Sequence, residues 1–93
     1  MNKQQEQQRG TQANRIINDP LYVEAWDSVR NRLLAVMEAA KTDEATLKAK
    51  TMLGLLHDVK GHFERVMANG KIASEEIRLE DEAKKRKFWQ RVA

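Results

Sequence analysis

The chain reads as an all-α protein: an antiparallel hairpin of two long helices, followed by a charged C-terminal helix. Three observations carry that reading. The 93 residues hold only four glycines and one proline, and no cysteine. Ala, Leu, Lys, Glu, Arg, Gln and Met are abundant, and these are the strong helix formers. Two stretches place apolar residues at alternating steps of four and three, the period of one helix face. Each of these stretches opens on a residue suited to capping a helix.

Residues 1–12, MNKQQEQQRGTQ, contain five glutamines and little apolar surface. Such a segment buries too little to offset the entropy of ordering, so it is expected to be disordered. The helical hairpin core is expected over residues 13–73, and the charged helix or tail over 74–93. Within 13–18, Ile16 and Ile17 suit a short turn that packs down or joins an interface.

Asp19-Pro20 is the sharpest local signal. Aspartate caps the first free N–H groups, and proline fits the first helical position because it lacks an N–H that would go unpaired there. The first long helix is expected from Pro20 to about Ala40. Its stripe is Tyr22, Trp26, Val29, Leu33, Val36 and Ala40. Lys41-Thr42 is a short turn, with Thr42 as the next cap and Asp43 and Glu44 at the positive end of the helix dipole. The second helix is expected from Asp43 to about Asn69, with Ala45, Ala49, Met52, Leu56, Val59, Phe63 and Val66 on its stripe. Asn69-Gly70 suits a helix stop in which glycine takes the left-handed position. Gly54 and Gly61, inside this helix, either permit a close helix approach or are simply tolerated.

The two helices would be about 31 Å and about 40 Å long, joined by a turn of two residues. Filling their seam leaves Leu21, Ala25, Leu34 and Met37 on the first helix, and Leu47, Leu53, Leu55 and Met67 on the second. Either the third helix or another chain must cover those flanks. Self-association is expected, with Met37, Leu53 and Met67 as the intersubunit contacts. The third helix is expected to start near Ser74. Glu80–Lys84 and Glu82–Arg86 are i,i+4 pairs in the favourable orientation.

The chemistry that remains is modest. The net charge is +3, from 17 basic and 14 acidic residues. Residues 19–70 carry seven basic and eight acidic groups, whereas residues 71–93 carry seven and five. A nucleic-acid-binding domain usually has a stronger basic footprint. Without cysteine there is no thiolate metal site and no thiol nucleophile. His57-Asp58 and His62 are too few ligands for a metal-dependent hydrolase, and a spacing of five does not place two imidazoles on one helix face. The paired carboxylates fall at helix starts or on polar faces, where no cleft shifts a pKa. No catalytic residue, metal or cofactor is expected. No apolar run approaches the roughly 20 residues of a membrane span, and the polar start lacks a signal-peptide core. A soluble protein of the cytoplasm is expected, or of the virion if it is phage-encoded.

The most suggestive feature is the cluster Lys84, Lys85, Arg86, Lys87, Phe88, Trp89 and Arg91. Basic residues beside aromatics suit docking into a groove on a protein partner, with Phe88, Trp89 and Val92 as anchors. They also suit phosphate contacts with base stacking, or an anionic membrane surface. The plain alternative is a solvated basic end whose aromatics fold back on the hairpin.

The layout resembles small helical proteins encoded in tailed-bacteriophage genomes, often near packaging and head genes. The likeness spans roughly residues 13–80. It rests on Asn18-Asp19-Pro20-Leu21, the aromatic pair Tyr22 and Trp26, the Thr42-Asp43 turn, Asn69-Gly70-Lys71 and the charged segment that follows. The resemblance implies an accessory role in virion assembly or packaging, and it transfers no catalytic residue. The expected function is therefore a non-enzymatic assembly or adaptor protein that forms a homo-oligomer and docks on a larger protein. A nucleic-acid-binding packaging or regulatory protein is the alternative, and a small inhibitor of one host protein is the third.

Overall fold

The structure is a computed structural model that describes residues 1–92, the Val92 side chain excepted. It contains three α-helices: α1 (Lys3–Ile17), α2 (Pro20–Ala39) and α3 (Asp43–Val92). Among the described residues there is no strand. The all-α class therefore holds, but the division into elements differs from the expectation in two places.

First, the segment expected to be disordered, residues 1–12, is most of α1. Asn2 caps it reciprocally: its side chain accepts from the Gln5 N–H at 2.8 Å, and the Asn2 N–H donates to the Gln5 side chain at 3.1 Å. Two otherwise unpaired donors are satisfied in this way. The glutamines are good helix formers. α1 needs only a narrow apolar strip because it lies against α3. Second, the expected helix stop at Asn69-Gly70 and the separate start at Ser74 are absent. α3 runs through both for 50 residues. With a rise of about 1.5 Å per residue, such a helix is about 75 Å long. It sets the long dimension of a molecule measuring 77 × 25 × 18 Å.

Both shorter helices pack on this one rod. Lys3 reaches Glu76 and Glu80, Gly10 meets Gly70, Tyr22 stacks edge-on against Phe63, and Trp26 against His57. The numbers count down α3 as they count up α1 and α2. A bend at Asn18–Asp19 separates α1 from α2, and the Asp19 carboxylate accepts from the Leu21 and Tyr22 N–H groups at 2.9 and 3.2 Å. Thr42 caps α3, its hydroxyl accepting from the Ala45 N–H at 3.1 Å. Both expected caps are in place.

Gly70 is a crossing point. A Cβ built on it would lie 2.7 Å from the Gly10 Cα and 3.0 Å from the Glu6 carbonyl oxygen. A Cβ on Gly10 would lie 2.8 Å from the Gly70 Cα. Only hydrogen fits at either position, and Ala13 and Ala73, three residues on, are buried beside them. Gly54 and Gly61 are different. Nothing lies within 4 Å of a Cβ on Gly54, and a Cβ on Gly61 meets only the flexible end of Arg65. They are tolerated glycines and not sites of close approach.

The seam beside α2 is also shifted from its expected register. Half-buried or buried residues on α3 include Ala45, Ala49, Leu53, Leu56, Lys60, Phe63 and Met67. On α2 they are Tyr22, Trp26, Leu33, Leu34 and Met37. Val29, Val36, Met52 and Val59, expected inside, are exposed. Met37, Leu53 and Met67, expected on the outer, self-associating flank, are half-buried within the chain. Ala49, Leu56 and Phe63 keep their expected inward places on α3. After Ala49 and Leu56 the position four residues on turns inward in place of the position three residues on; after Phe63 both Val66 and Met67 are half-buried.

Candidate docking end and apolar face

The basic–aromatic cluster lies at the far end of α3. Acidic residues upstream of it hold the helix together. Arg78 bridges Glu75 and Glu82, the latter at 2.6 Å, and Lys3 reaches across from α1 to Glu80 and, at 3.5 Å, to Glu76. The hydrogen bond from Lys3 holds the Glu80 carboxyl below its usual range, and the same bond raises the Lys3 ammonium. The hydrogen bond from Arg78 lowers Glu75, and the Arg78 guanidinium is raised in return. Neither expected pair, Glu80–Lys84 or Glu82–Arg86, closes to an ion pair among the described residues: Glu80 takes Lys3 and Glu82 takes Arg78, while the Lys84 ammonium is near enough to Glu80 to help lower its carboxyl.

Lys85, Arg86, Lys87 and Arg91 have no carboxylate within ion-pair distance among the described residues, and Lys84 has Glu80 only at longer range. Successive residues on a helix are about 100° apart, so Lys84–Lys87 put positive charge on every side of α3. Phe88 and Trp89 stand edge to face, with ring centroids 5.7 Å apart. They are 60% and 66% exposed. Glu80 is the last α3 residue that pairs with α1. Trp89 lies nine residues farther on, a helical rise of about 13 Å. The reading in which these aromatics fold back on the hairpin does not hold, because α3 continues straight past α1. The Val92 anchor lies outside the described side chains.

Trp26, in contrast, is a structural aromatic. Its ring contacts His57, its Nε1–H points to the Leu56 carbonyl at 3.4 Å, and the Lys60 ammonium lies 4.6 Å from its centroid. The two histidines gain no ligand set: no group of three His, Asp or Glu side chains able to hold a metal occurs among the described residues. No helix in them is long and apolar enough to cross a membrane.

The second feature is an exposed apolar face. Val29 and Val36 each lie three residues after a seam residue of α2, Trp26 and Leu33. Met52 and Val59 each lie three residues after a seam residue of α3, Ala49 and Leu56. Three residues turn a helix about 60° short of a full turn. Between helices running opposite ways, that offset falls on the same side of the pair. Leu55 widens the strip, and Leu21 and Ala25 extend it into an open groove at the α1–α2 bend that Ile16 and Tyr22 also line. The sequence contained this face, but with its residues assigned to the seam.

No protein-family model, curated protein or solved structure matches the chain.

Proposed function

We propose that this chain is a non-enzymatic assembly or adaptor protein. In this reading α2 and the first half of α3 form an antiparallel hairpin that self-associates, and the end of α3 docks on a larger protein, as in the accessory proteins of tailed-phage virion assembly that the sequence resembles. One observation carries the reading. Among the described residues, the only buried hydrophobic side chains are the methyls of Ala13, Ala49 and Ala73, while thirteen large apolar side chains are exposed. A fold with so little interior is completed by contact with other chains. The carboxylates support the same reading, since Glu75, Glu76, Glu80 and Glu82 are occupied in surface ion pairs.

The test is the absolute mass of the purified protein by light scattering, at moderate and at high salt. A discrete oligomer that survives high salt is expected, because apolar contacts are not screened. A monomer at both salts refutes self-association.

A second reading rests on the ring of charge at Lys84–Lys87, which suits phosphates approaching from any side. It requires duplex or single-stranded DNA binding whose affinity falls steeply with salt. Replacing the four residues by glutamine would then weaken binding and flatten that dependence.

A further inference from the structure

We propose that the face formed by Val29, Val36, Met52, Leu55 and Val59 is where a second copy of this chain packs, hairpin against hairpin, closing a four-helix arrangement around the exposed strip. The inference rests on the self-association proposed above and assigns it a surface. Its placement, the exposed area, the thin interior and the charge balance all favour that partner.

These five residues are between 40% and 61% exposed, and they fall on one side of the hairpin at helical spacing across both helices. A single helix face in contact with water needs no such continuity, and scattered apolar residues would not produce it. The chain has a mass of 10.8 kDa. A compact monomer of that mass exposes about 5,500 Å² by the scaling of surface with mass. This chain exposes 7545 Å². The excess, about 2,000 Å², is spread over the elongated molecule, the free end of α3 included, and exceeds the roughly 800 Å² that a standard interface takes from each partner.

Among the described residues, the buried interior consists of three methyls and two glycines. A chain built this way needs its partner whenever it is folded, and a second copy is the partner always present in equal amount. Residues 19–70, which hold the whole face, carry seven basic and eight acidic groups. Two copies brought together there do not repel each other, and a balanced surface gives no attraction to a polyanion or an anionic membrane.

Because the chain has no cysteine, one introduced thiol is unique. Val29→Cys, Met52→Cys and Leu55→Cys are oxidised separately and run without reductant, with Ile72→Cys as control. Ile72 is exposed, and it sits two residues past Gly70 on the side of α3 turned away from α1. In parallel, the masses of Leu55→Lys and Ile72→Lys are followed by light scattering on dilution. Ready disulfide dimers are expected from at least one of positions 29, 52 and 55, and none from position 72. Leu55→Lys is expected to weaken self-association by about 30-fold or more, as loss of a central interface contact does, while Ile72→Lys leaves it unchanged. The thiol readout stands even if Leu55→Lys fails to fold. An oligomeric wild type that cross-links equally well through position 72, or keeps its mass with a folded Leu55→Lys, overturns this face and leaves self-association intact. A monomeric wild type across the whole concentration range overturns both.

Discussion

Replacing Gly54 by alanine should stabilise the fold and replacing Gly70 should not, although both lie inside the same helix. In a helix interior, glycine to alanine gains about 1 kcal/mol from backbone propensity. At Gly54 that gain is unopposed, because a Cβ there meets nothing within 4 Å. At Gly70 the new Cβ lies 2.7 Å from the Gly10 Cα and 3.0 Å from the Glu6 carbonyl oxygen. Both obstacles are backbone, so no side chain can swing aside. α1 must retreat by about 1 Å to restore ordinary contact, and overpacking of this kind costs about 1–3 kcal/mol. Since the propensity gain is common to both variants, their difference isolates the crossing. Gly70→Ala should fall about 1–3 kcal/mol below Gly54→Ala in denaturant midpoints. Amide hydrogen exchange localises the effect: a loss of about 2 kcal/mol at the crossing speeds exchange of the α1 amides about 30-fold and leaves those of α2 unchanged. Gly61→Ala is the internal control and should follow Gly54→Ala. If Gly70→Ala stabilises as much as Gly54→Ala, the two helices do not meet at these glycines and α1 is not docked as described.

Two further outcomes follow from single groups. The Tyr22 hydroxyl is buried without a hydrogen-bond partner. Tyr22→Phe should therefore raise stability by about 1 kcal/mol in urea unfolding; a loss would show that the hydroxyl is bonded. The Lys3–Glu80 pair should make the start of α1 sensitive to pH at both extremes. The folded Glu80 carboxyl sits below its ordinary 4.5, so its contribution is present above that value and fades as pH falls through the lowered one. The folded Lys3 ammonium sits above its ordinary 10.5, so its contribution is present below that value and fades as pH rises past the raised one. Exchange of the Glu6–Gln8 amides should therefore be slowest, after correction for intrinsic rates, between about pH 5 and 10. The acid step should vanish in Glu80→Gln; an acid step that persists there assigns it to another carboxylate.

The helix caps were legible in the sequence because a cap is a local device. Asp19-Pro20 and Thr42 need only their own next few residues to act, and they start α2 and α3 where expected. α1 was not legible for the opposite reason. Its glutamine-rich composition carries no apolar stripe of ordinary width, and what holds it is the close fit of Gly10 on Gly70, sixty residues away, with Ala13 and Ala73 buried on either side of the crossing. The available signal was the pair of small residues three apart on each segment, together with the Asn2–Gln5 capping box. Gly70 itself pointed the wrong way. After asparagine, a glycine resembles a stop, and only the crossing helix shows that its missing side chain is the requirement. The basic–aromatic end was legible as composition. That no carboxylate closes an ion pair with it was not legible, because Lys3 and Arg78 engage Glu80 and Glu82 instead.

The choice of seam register links the fold to the proposed interface. After each of the anchors Ala49 and Leu56, both the third and fourth positions have enough aliphatic chain to be inside: Met52 and Leu53, then Val59 and the stem of Lys60. The seam between α2 and α3 can take only one of each pair. Taking the fourth position half-buries Leu53 and lays the Lys60 ammonium 4.6 Å from the Trp26 ring centroid. A long basic side chain favours that arrangement. Taking the third would have placed Val59 inside and turned Lys60 and Leu53 outward together. The chosen register therefore leaves Met52 and Val59 in water beside Leu55, with Val29 and Val36 in the matching positions of α2. A helix pair that needed only to fold could carry polar residues at all five places and gain solubility. Keeping them apolar costs the isolated chain that solubility, and the cost is recovered only when the strip is covered. In the proposed assembly, the same two apolar registers that make the seam ambiguous in the sequence let the α2–α3 pair fold with one side and associate with the other.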